Sequence, residues 1–251
     1  MCGGISLGVL WLLWEYAAAK EWAYLRLFPP PSRFLAGLSN GQFKIGLGAQ
    51  AATLQQSILF TILRVGIGLT IAFVSALLVG LLVSTSLWVK RFTLPIIRLL
   101  APIAPVAWIP LALVLFGIGN PTAIFIVFMG VFFTLTIATI QAIEDVPTRL
   151  VNAATTLGAR RSQIWFYVIF PHILPSVFTI LRLNFIAAWM AVLAAEMTGL
   201  SDGLGAIIMI GRNLFDNNLI LLGMCLIGIV GFVGDLILKT IQKTFFWWGA
   251  Q

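Results

Sequence analysis

The sequence predicts an all-α membrane protein of six transmembrane helices. Three observations carry that prediction. Of 251 residues, 61% are hydrophobic and only 9% are charged, whereas a soluble domain carries about a quarter charged residues. The mean hydropathy is +1.06, so a fold in water could not cover itself with polar groups. The apolar residues also come in unbroken runs, and a helix needs about 20 of them to cross a bilayer.

Each span follows from such a run. Residues 65–89 hold no charge and place a span at about 58–84. Residues 99–143 also lack a charge but are too long for one helix. "FGIGNP", residues 116–121, supplies the turn that divides them into spans at about 94–116 and 121–143. Two more are expected at about 175–196 and 219–238. The first, at about 4–19, is short and contains Glu15; no small-residue cleavage site follows "ISLGVLWLLW", so it reads as an uncleaved span. The chain, 1–251, is then a single membrane domain with no room for a separate soluble one. "LFPPPSRFLAGLSNGQF" reads as a proline-stiffened entry into a short amphipathic helix on the outer surface, and the tail "FFWWGAQ" as an interfacial anchor.

The net charge of +7 marks membrane topology rather than affinity for nucleic acid. Six spans put both termini on one side, with Lys90, Arg91, Arg149, Arg160, Arg161, Lys239 and Lys243. The opposite side holds fewer basic residues: Lys20, Arg26, Arg33, Lys44 and Arg212. The richer side is expected to be cytoplasmic. Cys2 and Cys225 make no disulfide framework, and His172 without a CxxC pair makes no metal site.

Several residues inside the spans invite a functional reading beside a structural one. The third span holds Pro95, Pro102, Pro105 and Pro110. It is either a kinked packing helix or the lining of a pathway that bends as it opens. Trp108 either narrows that path or packs as a ring. Arg64, Arg98, Arg182, Glu196 and Asp235 lie in or at the ends of spans, where an ionisable group is costly. Arg182 suits an anionic cargo, yet a long arginine also snorkels or holds a neighbouring helix. Glu196, with "TGLSDGLG" after it, pairs with Arg212 or meets an external protein. The candidate path residues are therefore Pro105, Trp108, Pro110, Arg182 and Glu196.

One hydrophilic stretch differs from its surroundings: "NAATTLGARRSQIWFYVIFP", residues 152–171. Asp145 and Pro147 precede it as a helix start. A helix over 148–157 would put Leu150, Ala153, Ala154 and Leu157 on one face, and Gly158 suits a left-handed stop. A second segment, 159–170, returns toward the membrane, with Pro171 and Pro175 bounding it. The shape suits insertion into a groove on another protein; the alternative is a loop whose arginines meet lipid phosphates.

The spacing resembles a known signature. Permeases of bacterial ABC importers carry E-A-A, three residues, G, nine residues, then I-x-L-P. Asn152-Ala153-Ala154, Gly158 and Val168-Ile169-Phe170-Pro171 match it without a gap, with Asn152 in place of the acid. "SILFTILRVGIGL", "PVAWIPLALVLFGIG", "LRLNFIAAWMAVLAAEMTGLSDGLGAII" and the last span with Asp235 resemble the nitrate/sulfonate/taurine/bicarbonate branch. The resemblance implies a type I ABC importer permease-like fold and a cytoplasmic coupling loop at about 144–171. Asn152, Ala153, Ala154, Leu157, Gly158, Arg160 and Arg161 would there meet a separate ATPase subunit. The chain has no GxxxxGK[ST], so ATP and Mg are expected on that partner and no cofactor on this chain. A second permease subunit, an identical copy, an extracytoplasmic solute-binding protein and the lipid of a bacterial inner membrane are the other implied partners. The implied cargo is a small oxyanion: nitrate, bicarbonate, taurine or an alkyl sulfonate.

Two other classes find less in the sequence. A secondary transporter would favour repeated halves with broken helices or paired carboxylates, and no repeat is visible. An intramembrane enzyme needs a nucleophile or metal ligands deep in the spans, and His172 stands at a loop end beside no acid.

Overall fold

The computed structural model of the chain describes residues 52–245 and, before them, residues 8–9, 12–16, 30 and 44–45. The described parts are almost wholly helical. Lys44–Ile45 (β1) pairs antiparallel with Ala52–Thr53 (β2) in a minimal ladder. The helices are α1 Leu54–Thr85, α2 Leu87–Leu100, α3 Ile109–Phe116, α4 Asn120–Glu144, α5 Thr148–Thr156, α6 Arg161–Ile164, α7 Phe170–Glu196, α8 Leu204–Asn213 and α9 Asn217–Phe245. The residues form two compact units, one of 1–62 with 196–230 and the other of 63–195 with 231–251.

Among the described residues four helical stretches are long and apolar enough to cross a membrane: Leu54–Thr85, Asn120–Glu144, Arg161–Glu196 and Asn217–Phe245. The span expected at about 4–19 lies mostly outside the described residues, of which 8–9 and 12–16 are helical. The surface helix expected in "LFPPPSRFLAGLSNGQF" and most of the "FFWWGAQ" anchor lie outside them too.

In the larger unit, α1 and α4 run parallel. Arg64 Nε donates to Asn120 Oδ1 at 2.7 Å, Gly68 backs onto Val127, and Gly80 backs onto Thr139. Gly68 and Gly80 have no side chain to hold the helices apart, so backbone meets side chain directly. Ala72 and Ala76 between them are fully buried. α7 runs the other way, with Phe73 edge-on to Phe178 at 6.2 Å and Leu81 near Ile173. α9 is antiparallel to α7: Gly231 lies against Trp189, Gly234 against Phe185, and Asp235 reaches Arg182. Thus α1, α4 and α9 finish at one end of this unit, where α7 begins.

Parallel α1 and α4 require one return crossing between them. The sequence suggests a single span at 94–116; instead α2 and the segment Pro105–Phe116 meet at 96°. The cause is proline spacing. Pro102 and Pro105 cannot donate to a helical ladder, so α2 stops at Leu100. The chain then restarts as a 3₁₀ turn, Pro105–Trp108, that leads into α3. The helical part, Pro105–Phe116, rises about 20 Å on usual values, short of the about 30 Å of a hydrocarbon core. Only together with α2 is it long and apolar enough for a span, one broken at 96°.

A second departure concerns Pro171 and Pro175, expected as boundaries of a returning segment. The helix instead runs through them from Arg161 to Glu196. A π-turn at Trp165–Ile169, with the Phe170 N–H on the Trp165 carbonyl, sits just before Pro171. Such a turn already departs from i−4 bonding where a proline follows.

The close α1–α4 contact makes a sharp prediction. Gly68→Val drives its methyls into Val127 Cγ1, 2.6 Å from an ideal Cβ, and is expected to cost about 1–3 kcal/mol. Gly66→Ala, with no neighbour within 4 Å, is expected to hold or raise the melting temperature in detergent. Equal melting shifts for the two variants would contradict this packing.

Candidate functional site

The stretch singled out in the sequence forms an exposed elbow. α5 covers Thr148–Thr156 with Pro147 as its N-cap residue, and none of its residues is buried. Asp145 is exposed beyond the start of α5, whose first turn holds no acid. Gly158 adopts φ +79°. The Ala159 N–H donates to the Ala154 carbonyl at 3.1 Å and the Gly158 N–H to the Thr155 carbonyl at 2.9 Å. That pair of bonds is the Schellman stop, which needs the left-handed residue at Gly158. Arg160 then starts α6, its N–H on Gln163 Oε1 at 2.7 Å.

The elbow has two faces. Val151 turns inward against a knot of Val146, Ile169 and Ile173, joined by Ile164, Trp165, Ala142, Ile143 and Leu81. Leu150, Ala153 and Leu157 turn outward, and Leu157 is 87% exposed. Ala154 is half-buried, while Asn152, Gly158, Arg160 and Arg161 are exposed. The predicted coupling residues therefore come together on one projecting turn. It stands at the end where α1 and α4 finish. There Lys90, near the start of α2, pairs with Glu144 at the end of α4.

The candidate path residues do not converge in the same way. Pro105 packs its ring over Gly130, where a Cβ would lie 2.9 Å from Pro105 Cγ. Trp108 stacks on Phe133 with centroids 6.4 Å apart; its Nε1 is buried with no hydrogen-bond partner among the described residues. Pro110 lies exposed in the first turn of α3.

Arg182 is engaged elsewhere. Its Nε donates to Asp235 Oδ1 at 3.0 Å and its Nη2 to Oδ2 at 3.2 Å, a two-pronged pair. Gln242 completes the group, accepting from Arg182 Nη1 at 3.5 Å and donating to Thr179 Oγ1 at 2.8 Å. Gly231, one turn before Asp235, and Gly234, its immediate neighbour, bring α9 close enough to α7 for Asp235 to reach.

Glu196 belongs to the smaller unit and is fully buried. Its Oε1 accepts from Thr61 Oγ1 at 2.7 Å and its Oε2 from the Gly205 N–H at 2.9 Å. Thr61 Oγ1 in turn accepts from the Leu204 N–H at 2.9 Å. The Glu196 carboxylate and the Thr61 hydroxyl, the latter distant in sequence, thus each satisfy one opening N–H group of α8. Gly203, at φ +107°, leaves the space that the carboxylate fills. Arg212, weighed as a partner for Glu196, instead rests on Met209 Sδ at 3.9 Å. Thr61 and Gly203 were not singled out in the sequence; the glycines of "TGLSDGLG" were the only local sign.

The Arg182–Asp235 geometry separates its two possible roles. Arg182→Gln or Asp235→Asn alone leaves an unpaired charge among apolar helices. Each is expected to cost about 2 kcal/mol, below the fully buried figure because the side chains are 28% and 33% exposed. The double variant is expected to regain most of the loss in melting temperature and uptake. Restored stability with abolished uptake would make Arg182 a cargo contact instead.

Known proteins supply the identity. A family model described as "binding-protein-dependent transport system inner membrane component" matches residues 68–246. A protein of Methanocaldococcus jannaschii named as an ABC transporter permease is 40% identical over 76% of this chain and 72% of its own. The taurine transport system permease protein of Escherichia coli is 28% identical over 98% of this chain and 89% of its own. The nitrate import permease protein of a Synechocystis strain is 28% identical over 95% and 86%. Among solved structures, an amino acid ABC transporter crystallised with histidines superposes with a TM-score of 0.62. It is 15% identical and covers 84% of this chain and 96% of its own, a likeness of fold. The chain belongs to the binding-protein-dependent transport system inner membrane components, as a permease subunit of the type I importer fold and not an enzyme.

Proposed function

We propose that this permease imports a small oxyanion and is driven by separate ATPase subunits that seat the 148–158 elbow. The observation that carries this reading is the outward face of α5. Leu150, Ala153 and Leu157 present apolar surface on a rigidly stopped turn, whereas a loop made only for lipid would need no such stop. Apolar anchors at three- and four-residue spacing are what a helix offers to a groove, and Arg160 and Arg161 add charge at its edge.

Taurine and nitrate, named for two relatives, share an anionic oxygen cluster, which favours an oxyanion here. The Arg182 charge is already taken by Asp235, so selection among oxyanions is assigned to an extracytoplasmic solute-binding protein. A second copy of this chain would complete the path, with ATP and Mg held by the ATPases. The elbow and both termini would face the cytoplasm, as the basic residues at that end favour.

Gly158 tests the reading. No atom lies within 4 Å of a Cβ built there, so a side chain disturbs the turn and not the packing. Gly158→Val forces a β-branched residue into the left-handed region, at about 1–2 kcal/mol. It is expected to insert normally yet lose ATPase co-purification and uptake. Gly158→Asn, which tolerates that region, is expected to keep both. Normal co-purification and uptake by Gly158→Val would refute the docking role.

A further inference from the structure

We propose that α2 lies along the membrane surface and that Arg91 and Arg98 hold the headgroups of anionic phospholipids. The fold supplies the first part. α2 meets Pro105–Phe116 at 96°, and it is Pro105–Phe116 that packs on the long apolar helix α4, with Pro105 over Gly130 and Phe116 beside Phe125. A helix at right angles to a crossing segment runs in the plane of the bilayer. Its start is pinned to the end of α4 by Lys90 and Glu144, which places it at the rim and not at mid-depth.

The sequence of α2 fits that position on all three sides. At about 100° per residue, Thr93, Ile97 and Leu100 form the arc that faces the rest of the unit, and Ile97 is buried. Trp88, Phe92, Ile96 and Leu99 form a second arc, each at least 59% exposed. Trp88 and Phe92 stack at 6.5 Å, and such rings favour the boundary between headgroups and acyl chains. Arg91 and Arg98 fall on the third arc, beside Leu87 and Leu94. They border a groove of about 420 Å³ lined by Leu87, Lys90, Arg91, Leu94, Pro95 and Arg98.

Charge decides the occupant. Lys90 is neutralised by Glu144, while neither Arg91 nor Arg98 meets an acid among the described residues. Two unpaired guanidinium groups beside an apolar floor suit a phosphate with acyl chains attached. An acidic protein segment would satisfy the arginines but leave the adjoining aromatic arc bare. Anionic lipid satisfies both, and α2 leads straight into the break before Trp108, so lipid held there would steady that break.

The full chain, purified into mixed micelles, tests this by native mass spectrometry of retained lipid. Wild type is expected to prefer phosphatidylglycerol over phosphatidylcholine and to release it as ionic strength rises. Arg91→Gln with Arg98→Gln is expected to lower that preference about twenty-five-fold, roughly fivefold per arginine. Arg91→Lys with Arg98→Lys is expected to retain most of it. Equal retention of the two lipids by wild type, or retention by wild type indifferent to salt, would overturn the proposal without any variant. Undiminished preference in the double glutamine variant would do so as well.

Discussion

The small apolar knot of Val146, Ile169 and Ile173 is the joint on which the structure depends. It gathers the ends of three long helices: Leu81 from α1, Ala142 and Ile143 from α4, and Ile173 from α7. Val151 fastens the elbow to the same knot. A close-packed interior transmits displacement because it cannot be compressed. A push on α5 is therefore passed to three spans at once rather than absorbed by a loop. Coupling requires two sites that bias one shared element, and under the proposed function the knot with its attached helix ends would be that element.

What the spans can do when pushed follows from how they meet. α1 and α4 touch through glycines and alanine and are locked by the Arg64–Asn120 hydrogen bond. α7 and α9 are tied by glycines and by Arg182 with Asp235. Those two pairs are stiff. The stretch between α2 and α3 differs in that Pro102 and Pro105 interrupt the backbone ladder. The break in the backbone ladder thus lies between helices held by close contacts.

Much of this was legible in the sequence because it is local. The spacing from Ala153 to Gly158 announced a helix stopped by a left-handed residue, and φ +79° at Gly158 is that stop. The uncharged runs announced the long helices. The prolines of 95–110 announced a disturbance, but not its size. A kink and a 96° turn share one composition, and only the folded backbone tells them apart. Pro171 and Pro175 misled for a related reason: a π-turn lets a helix run on through prolines, and hydropathy carries no trace of one. Glu196 was legible as costly but not as structural. Its partner Thr61 is 135 residues away, and no local pattern connects a hydroxyl in one apolar run with a carboxylate ending another.

The central claim is that an ATPase covers the outward face of the elbow, and the most direct measurement is chemical access to it. In a chain with Cys2 and Cys225 replaced, Leu157→Cys places a thiol where the side chain is 87% exposed. The account predicts rapid maleimide labelling of the permease alone and strong protection once its ATPase subunits are bound. Labelling at the same rate in the assembled transporter would contradict it.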